Sequence, residues 1–343
     1  MIYIETDVKD AAFHFSVEDY IMREYPFNQP VLMIWQTEKC VMLGNYQIAE
    51  AEIDMNLARK EEMQIVRRSS GGGTIFTDSG TFLISIIRPN SMEENSQQAS
   101  KEEITSLVVQ ALSRMDIPAE IQGRNDIAVH GKKITGIAQH SKYGKICSHC
   151  SLLYDADLDK LTKVLRADDE KIRSKAIKSI RSRVTNVKEH MKSPCMTAEF
   201  LEQFKQALFN EIENKTGSKP REAKLSENAL EEINQICEEK YKNSAWTIGK
   251  SPKFSYHNHK RFPGGKVEVY LDIEKGIVKS CSIQGDFLGT EPIRGLEELF
   301  ENNEFQHQKF CDLLDGVSLR PFLGSITKNE LLSCLTGCQE VAS

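Results

Sequence analysis

Arg67-Arg68-Ser69-Ser70-Gly71-Gly72-Gly73-Thr74-Ile75-Phe76 sets two cations almost against three consecutive glycines, with apolar residues following at once. Without a Cβ in the way, successive backbone N–H groups can converge, and convergent N–H groups cradle an anion. Arginine adds a planar fork of donors suited to phosphate or carboxylate. The stretch points to binding of a phosphorylated or adenylylated small molecule. A triple glycine alone is equally the mark of a surface turn.

A second segment supports the first. Gly123-Arg124-Asn125-Asp126 leads through the β-type run Ile127-Ala128-Val129 into Gly131-Lys132-Lys133-Ile134-Thr135-Gly136. Asp126 offers a hard carboxylate oxygen to Mg²⁺, and Asn125 a neutral ligand or a hydrogen bond. A lysine held between small residues is a point cation that can neutralise charge developing on a carboxylate or phosphoryl group. Taken singly, these segments read as two solvated hairpin turns.

Taken together, the two segments resemble the lipoate–protein ligase A family. The likeness continues along the chain. Ser148-His149-Cys150-Ser151-Leu152-Leu153 is similar to the family's His-Gly-Thr-Leu-Leu strand, and Lys175 to Asn186 to its basic adenylate loop. Phe262-Pro263-Gly264-Gly265-Lys266 and Asp272-Ile273-Glu274-Lys275-Gly276 resemble its small accessory domain. The resemblance implies an α/β (α+β) fold with a mixed central sheet flanked by helices, the biotin/lipoate–protein ligase-like catalytic domain. That domain is expected over residues 1–245, with a small α+β accessory domain over 246–343 that turns between half-reactions.

The activity implied has two steps. Lipoate reacts with Mg·ATP to give lipoyl-adenylate and pyrophosphate. The lipoyl group then passes to one lysine of a lipoyl-domain carrier, a glycine cleavage H-type protein or the E2 subunit of a 2-oxoacid dehydrogenase. By family position, Arg68, Gly71, Gly72, Gly73, Thr74, Ile75 and Phe76 hold the nucleotide, with Ile75 and Phe76 near adenine. Asn125 and Asp126 orient nucleotide or Mg²⁺. Lys133, rather than Lys132, is the catalytic contact to acyl carbonyl and phosphate, with Gly136 and His149 beside the substrate. Strands near Leu43, Phe82 and Ile137 are expected to wall the lipoyl tunnel.

The chain departs from the family pattern at Asn45, Ile48, Thr77, Thr81 and Cys150, which implies a narrowed carrier range or an altered acyl preference. Two other functions stay open. One is an ATP-independent lipoyl or octanoyl transferase, for which Cys150 would be the nucleophile. The other is a non-catalytic binder of lipoate or acyl-adenylate.

Composition agrees with the resemblance. The 343 residues suffice for one large and one small domain, and a net charge of −6 argues against a general nucleic-acid binder. No apolar run of eighteen residues occurs, and the N-terminus lacks the order of a secretion signal, so no membrane association is expected. Nine scattered cysteines fit free thiols in a reducing cytoplasm better than a disulfide framework. Strand alternation puts Cys147 and Cys150 on opposite faces, against a joint metal or redox site.

Periodicity supplies the elements. Val31–Trp35 and Cys40–Leu43 read as adjacent strands, and Phe82–Ile87 as a buried strand closed by Pro89. Ser100 and Glu103 suggest a capping box before the helical face Ile104, Leu107, Val108, Ala111, Leu112 and Met115. Phe200, Phe204, Leu208 and Ile212 mark another helix, and Leu230, Ile233 and Ile236 a third. Glu238 to Pro252 reads as a linker. Beyond it, Val267 to Ile273 and Ile277 to Ile283 form a hairpin, followed by helices near 294–301 and 327–338. Lys171 to Arg183 carries six cations and no acid, a strip able to guide pyrophosphate or meet an acidic carrier.

Overall fold

The structure is a computed structural model that describes residues 1–24, 29–90, 96–123, 125–165, 183–249, 254–274 and 276–336. Its strands are β1 (Ile2–Ile4), β2 (Val31–Trp35), β3 (Cys40–Leu43), β4 (Gln64–Arg67), β5 (Ile75–Thr77), β6 (Thr81–Pro89) and β7 (Ala119–Gln122). There follow β8 (Asp126–Val129), β9 (Lys132–Lys142), β10 (Lys145–Leu153), β11 (Arg221–Ala223), β12 (Tyr256–Phe262), β13 (Gly265–Glu274) and β14 (Ile277–Gly285). The long helices are α1 (Ala11–Arg23), α2 (Ser96–Arg114), α3 (Thr197–Thr216), α4 (Glu227–Ile236) and α5 (Lys328–Thr336).

The large sheet has the order β11-β1-β2-β6-β10-β9-β8-β7. It is mixed: β1 runs parallel to β11 and β2, and the remaining pairs are antiparallel. Phe82, Ile84 and Ile86 of β6 face α2 and α3, while Leu83 and Ile87 face α1 and α4. Helices on both faces explain why β6 reads as a continuous apolar run rather than an alternation. The ring of Phe200 is the anchor of the first face, stacked on Tyr154 at 3.9 Å and on Phe82 at 5.7 Å.

A small sheet, β4-β3-β5, stands apart, and β12-β13-β14 forms the C-terminal domain. In the latter, Val267, Val269 and Leu271 pack against Phe300, Phe310 and the α5 residues Leu331 and Leu335. The hairpin and the helix near 327–338 thus lie where periodicity put them.

Three expectations are corrected. β2 and β3 do not pair, because β1 and β6 already occupy both edges of β2, so the chain leaves for the small sheet. Ser100 does not cap a helix: α2 begins a turn earlier at Ser96, with no breaker in Ser96 to Ala99 to prevent it. The Ser100 hydroxyl instead meets that of Ser148 at 2.8 Å, and Glu103 accepts from Arg88 at 2.7 Å. Finally, the linker reading fails between 238 and 248. Tyr241 and Cys237 are buried against α1, and Ser244–Thr247 forms a short helix on β4. Residues 250–253, and the basic strip up to 182, lie outside the described residues.

Phe200→Ala removes the ring on which Tyr154 and Phe82 stack. The expected loss is about 3–5 kcal/mol of unfolding free energy, read from the shift in urea midpoint at unchanged slope.

Candidate active site

The turn between β4 and β5 is built by its two arginines, both buried. Arg67 donates from Nη1 to the carbonyls of Gly44 at 2.7 Å and Gln47 at 2.5 Å. Its Nε reaches the carbonyls of Trp246 and Thr247 at 3.0 and 3.2 Å. Arg68 donates from Nη1 to Met42 O at 3.0 Å, and from Nη2 to Gly71 O at 2.9 Å and Gly73 O at 2.7 Å. Its Nε donates to Ser70 Oγ at 3.1 Å. Burial, with Arg67 beside it, lowers the Arg68 pKa to about 10, which leaves it a cation at neutral pH. The guanidinium thus clasps the turn from within. Gly72 adopts φ +88°, and its carbonyl comes so near Gly44 that a Cβ there would stand 2.0 Å away.

Lys133 belongs to the opposite wall. A register shift between Ile127 and Ala128 on β8 puts Asp126 across from Gly136 and Ala128 across from Lys133. Lys133 Nζ pairs with Asp126 Oδ1 at 2.7 Å. A Cβ on Gly136 would lie 2.9 Å from that ammonium, so glycine makes its berth. The backbone of Lys133 is bridged to Val184, and Thr185 N–H donates to its carbonyl at 3.0 Å. Lys132 is exposed.

These two walls enclose a cavity of about 150 Å³. Arg68, Gly72, Gly73, Thr74, Ile75, Asn125, Lys133, Gly136 and His149 all line it. Three other sequence-derived candidates do not. Gly71 is packed against the carbonyl of Phe287, Phe76 is buried among Val41 and Leu43, and Asp126 reaches the cavity through its pair with Lys133. All three strands expected to supply tunnel walls reach the cavity. Ile137 lines the cavity, but Met42 and Leu83 do so in place of Leu43 and Phe82. Adjacent strand residues point to opposite faces, so a one-residue slip exchanges wall for core.

Two of the departures from the family pattern are engaged inside the fold. Thr77 is buried with its hydroxyl 2.8 Å from that of Thr37, and the hydroxyl of Thr81 donates to Asp78. Cys150 lies on the cavity wall but is buried, and burial pushes its thiol up to about 12. Cys147 is indeed on the opposite face, and burial with the nearby Glu18 carboxylate holds its thiol well above the usual range. Among the described residues, one group of potential metal ligands lies together: Glu18, Cys147 and His149, all buried.

His149 apart, sequence reading missed the polar residues behind the turn. His149 Nε2 lies 2.6 Å from Ser70 Oγ, and His149 Nδ1 lies 3.4 Å from both oxygens of Glu18. Lys240 Nζ donates to Asp19 at 2.7 Å and to Ser69 Oγ at 2.9 Å, and sits over the Trp246 ring. One signal was available. Glu18 falls between Phe15 and Met22 in the apolar stripe of α1, where a carboxylate needs buried partners.

The C-terminal domain covers the turn. Gly72 N–H donates to Phe287 O at 3.1 Å, and the Phe287 ring stacks on Tyr46 at 5.0 Å. Gly285 N–H donates to Tyr46 O, and Ser141 N–H to Thr290 O, each at 2.7 Å.

A glycine turn on a small sheet opposite a paired lysine on the large mixed sheet, with a further sheet domain over the turn, defines an acyl-protein ligase architecture. Residues 10–209 match the lipoyl protein ligase A/B catalytic domain and residues 251–335 the bacterial lipoate protein ligase C-terminus. The chain belongs to the lipoate–protein ligase family and is an enzyme of that ligase class. It is 34% identical to lipoate-protein ligase LplJ of Bacillus subtilis (strain 168), over 98% of this chain and 100% of the relative. Identity to the Streptococcus pyogenes (serotype M5, strain Manfredo) lipoate–protein ligase is 30%, over 94% and 95%.

Among solved structures, P. falciparum LipL1 in complex with lipoate superposes with TM-score 0.77 at 21% identity, covering 98% of both chains. A bipartite lipoate protein ligase from Thermoplasma acidophilum, described with its E2 lipoyl domain, gives 0.65 at 25% identity, over 74% of this chain and 98% of that one. A lipoate-protein ligase A bound with ATP gives 0.61 at 24%, over 72% and 97%. Among the described residues, no helix is long and apolar enough to cross a membrane.

Two tests follow from this geometry. Arg68→Lys cannot bridge Met42, Ser70, Gly71 and Gly73 at once, and is expected to cost about 3 kcal/mol in urea unfolding. The second concerns pH. Burial depresses the His14 and His140 pKa values to about 4 in the folded protein, against roughly 6.5 when unfolded. The unfolded chain therefore binds protons first on acidification. Stability from these two groups is full above about pH 6.5 and falls as pH drops towards 4. Urea midpoints measured from pH 8 to 4 should be flat and then decline, with a shallower decline in His140→Gln.

Proposed function

We propose that this chain activates lipoate with Mg·ATP to lipoyl-adenylate and pyrophosphate, then transfers the lipoyl group to a lysine on a carrier domain. The observation that carries this reading is the meeting of Lys133, Asn125 and the glycine turn on one cavity. In the first step a lipoate carboxylate oxygen bonds to the α-phosphorus of ATP as the bond to pyrophosphate breaks. In the second, the carrier amine bonds to the lipoyl carbonyl carbon, AMP leaves and the amine loses its proton. Lys133 acts in both by stabilising negative charge on the acyl and phosphoryl oxygens, held on station by Asp126. Backbone N–H groups of Gly72, Gly73 and Thr74 would face phosphate, and Ile75 the adenine.

Mg²⁺ commonly takes only one or two carboxylates plus substrate phosphates and water. Asp126 fits that role as one ligand, since one of its oxygens faces Lys133 and the group is partly exposed. When bound, the ion would neutralise phosphate charge. The buried Glu18, Cys147 and His149 group does not suit it, because Mg²⁺ prefers oxygen and water.

Carriers of the glycine cleavage H type or an E2 lipoyl domain are the proposed acceptors, supported by the E2 domain named with the Thermoplasma relative. We place the domain division near residue 245, and propose a cytoplasmic site of action, in keeping with the free cysteines among the described residues. The cysteine-transferase alternative is not favoured: Cys150 is buried, and its thiol is pushed away from the reactive thiolate.

The test is lipoate-dependent exchange of labelled pyrophosphate into ATP without carrier. Lys133→Ala is expected to lower exchange by about a hundredfold or more while circular dichroism and the urea midpoint stay near wild type. Exchange retained in that variant, or none in wild type with or without carriers, would reject the assignment.

A further inference from the structure

β9 carries Lys133 where the large sheet gives it one strand neighbour instead of two. Its register with β10 runs from Lys142 to Thr135 and stops there, while β8 still pairs with Lys133 through Ala128. The turn His130-Gly131, both residues at positive φ, comes immediately before β9. A half-paired strand end beside a turn is the part of a sheet that opens most readily. The gap is filled from far along the chain. Val184 forms a parallel bridge to Lys133, and Thr185 N–H donates to the Lys133 carbonyl at 3.0 Å. Two residues thus stand in for the strand that β10 no longer supplies.

A pairing of two residues cannot hold itself, and its anchor is Asn186. The Asn186 carboxamide donates from Nδ2 to Ala156 O at 2.9 Å, and its Oδ1 accepts from Ala156 N–H at 3.0 Å. Both bonds go to one residue, so the side chain behaves as a peptide group paired with the backbone just beyond β10. An ionised aspartate could only accept there. The Thr185 hydroxyl lies 3.1 Å from both Glu189 Oε2 and His190 Nε2. Lys188 N–H donates to Tyr154 O at 3.1 Å, and Val187 is buried in the core under α2 and α3. Thr185 and Asn186 are both more than nine-tenths buried, and neither lines the cavity.

We propose that Asn186 and Thr185 are positioning residues for Lys133. Asn186 moors the segment to the end of β10, and Thr185 transmits that mooring to the Lys133 backbone. Asp126 sets where the ammonium points, but the backbone sets where the side chain starts. Charge is stabilised best by donors already in place when it develops. A lysine on an opened strand end keeps its charge but loses its position, so turnover falls while binding of the substrates is kept.

The effect on turnover rests on the ligase reading above, whereas the mooring does not. The experiment therefore has two arms on the full chain. Residue-resolved amide hydrogen exchange should show the wild-type Thr185 amide protected about a hundredfold or more. Asn186→Asp should cut that protection by about tenfold or more, and Lys188→Ala by less than about threefold, since Lys188 adds only a partly exposed ion pair to Asp155.

In the pyrophosphate assay, Asn186→Asp should lower kcat about tenfold or more, with KM for lipoate and ATP changed less than about threefold. Thr185→Val keeps the amide but loses the hydroxyl, and should lower kcat about threefold or more. Added to Lys133→Ala, Asn186→Asp should cost less than about threefold, because no ammonium is left to place. An unprotected Thr185 amide in wild type overturns the proposal whatever the activity, and so does unchanged protection in Asn186→Asp. A loss borne by KM, a full further loss on top of Lys133→Ala, or a lowered urea midpoint with kcat unchanged would make the segment structural alone and reject it too. Should Asn186→Asp fail to fold, wild-type protection and Thr185→Val decide. Absent pyrophosphate exchange in wild type would count against the ligase reading alone.

Discussion

The structure turns on the burial of one guanidinium. Arg68 has no water to hydrate it, so the chain must supply acceptors, and it does so with backbone carbonyls from β3 and from the turn itself. That demand fixes the shape of a loop which three glycines would otherwise leave loose. Arg67 makes the same demand on the other side, drawing in the loop after β3 and the short helix around Trp246. A surface arginine pair would have had none of these consequences.

The three-stranded sheet is the frame on which this works. β3 lies between β4 and β5, so the glycine turn joins its two outer strands, and the carbonyls that Arg68 needs lie within reach. Lys133 comes from the other sheet, on a strand whose bulge fixes its register against Asp126. Opposed walls from two independent sheets place cationic and amide donors across a gap, the arrangement needed to stabilise charge on a bound carboxylate or phosphate.

Much of this was legible in the chain. The period of α2 and α3 appeared in Ile104 to Leu112 and Phe200 to Ile212, and β6 in its apolar run. The cavity lining was legible at Arg68, Gly72, Gly73 and Lys133, because glycine and paired cations are unusual neighbours, and at Asn125 beside them. Other features depended on partners distant in sequence. Glu238 to Thr247 looks like a linker by composition, yet Lys240 finds Asp19 and Ser69, and Trp246 finds Arg67. Glu18 stands out in the apolar stripe of α1, but that His149 meets it and Lys240 meets Asp19 depends on the fold. Which residue of each wall strand faces the cavity was not legible for a local reason: strand phase cannot be read from four or five apolar residues covered on both faces.

One contact at the turn has a thermodynamic side. Gly72 N–H is held by the carbonyl of Phe287, an oxygen carrying partial negative charge, in the turn proposed above to hold phosphate. An amide has one proton to give, so the C-terminal domain is in effect a tethered competitor for the anion cradle. Any ligand that takes this amide must weaken the domain's hold, and by reciprocity a firmer hold must weaken the ligand. For a ligand that needs this amide, as proposed for nucleotide, apparent affinity equals the intrinsic affinity scaled by the fraction of molecules in which the amide is free.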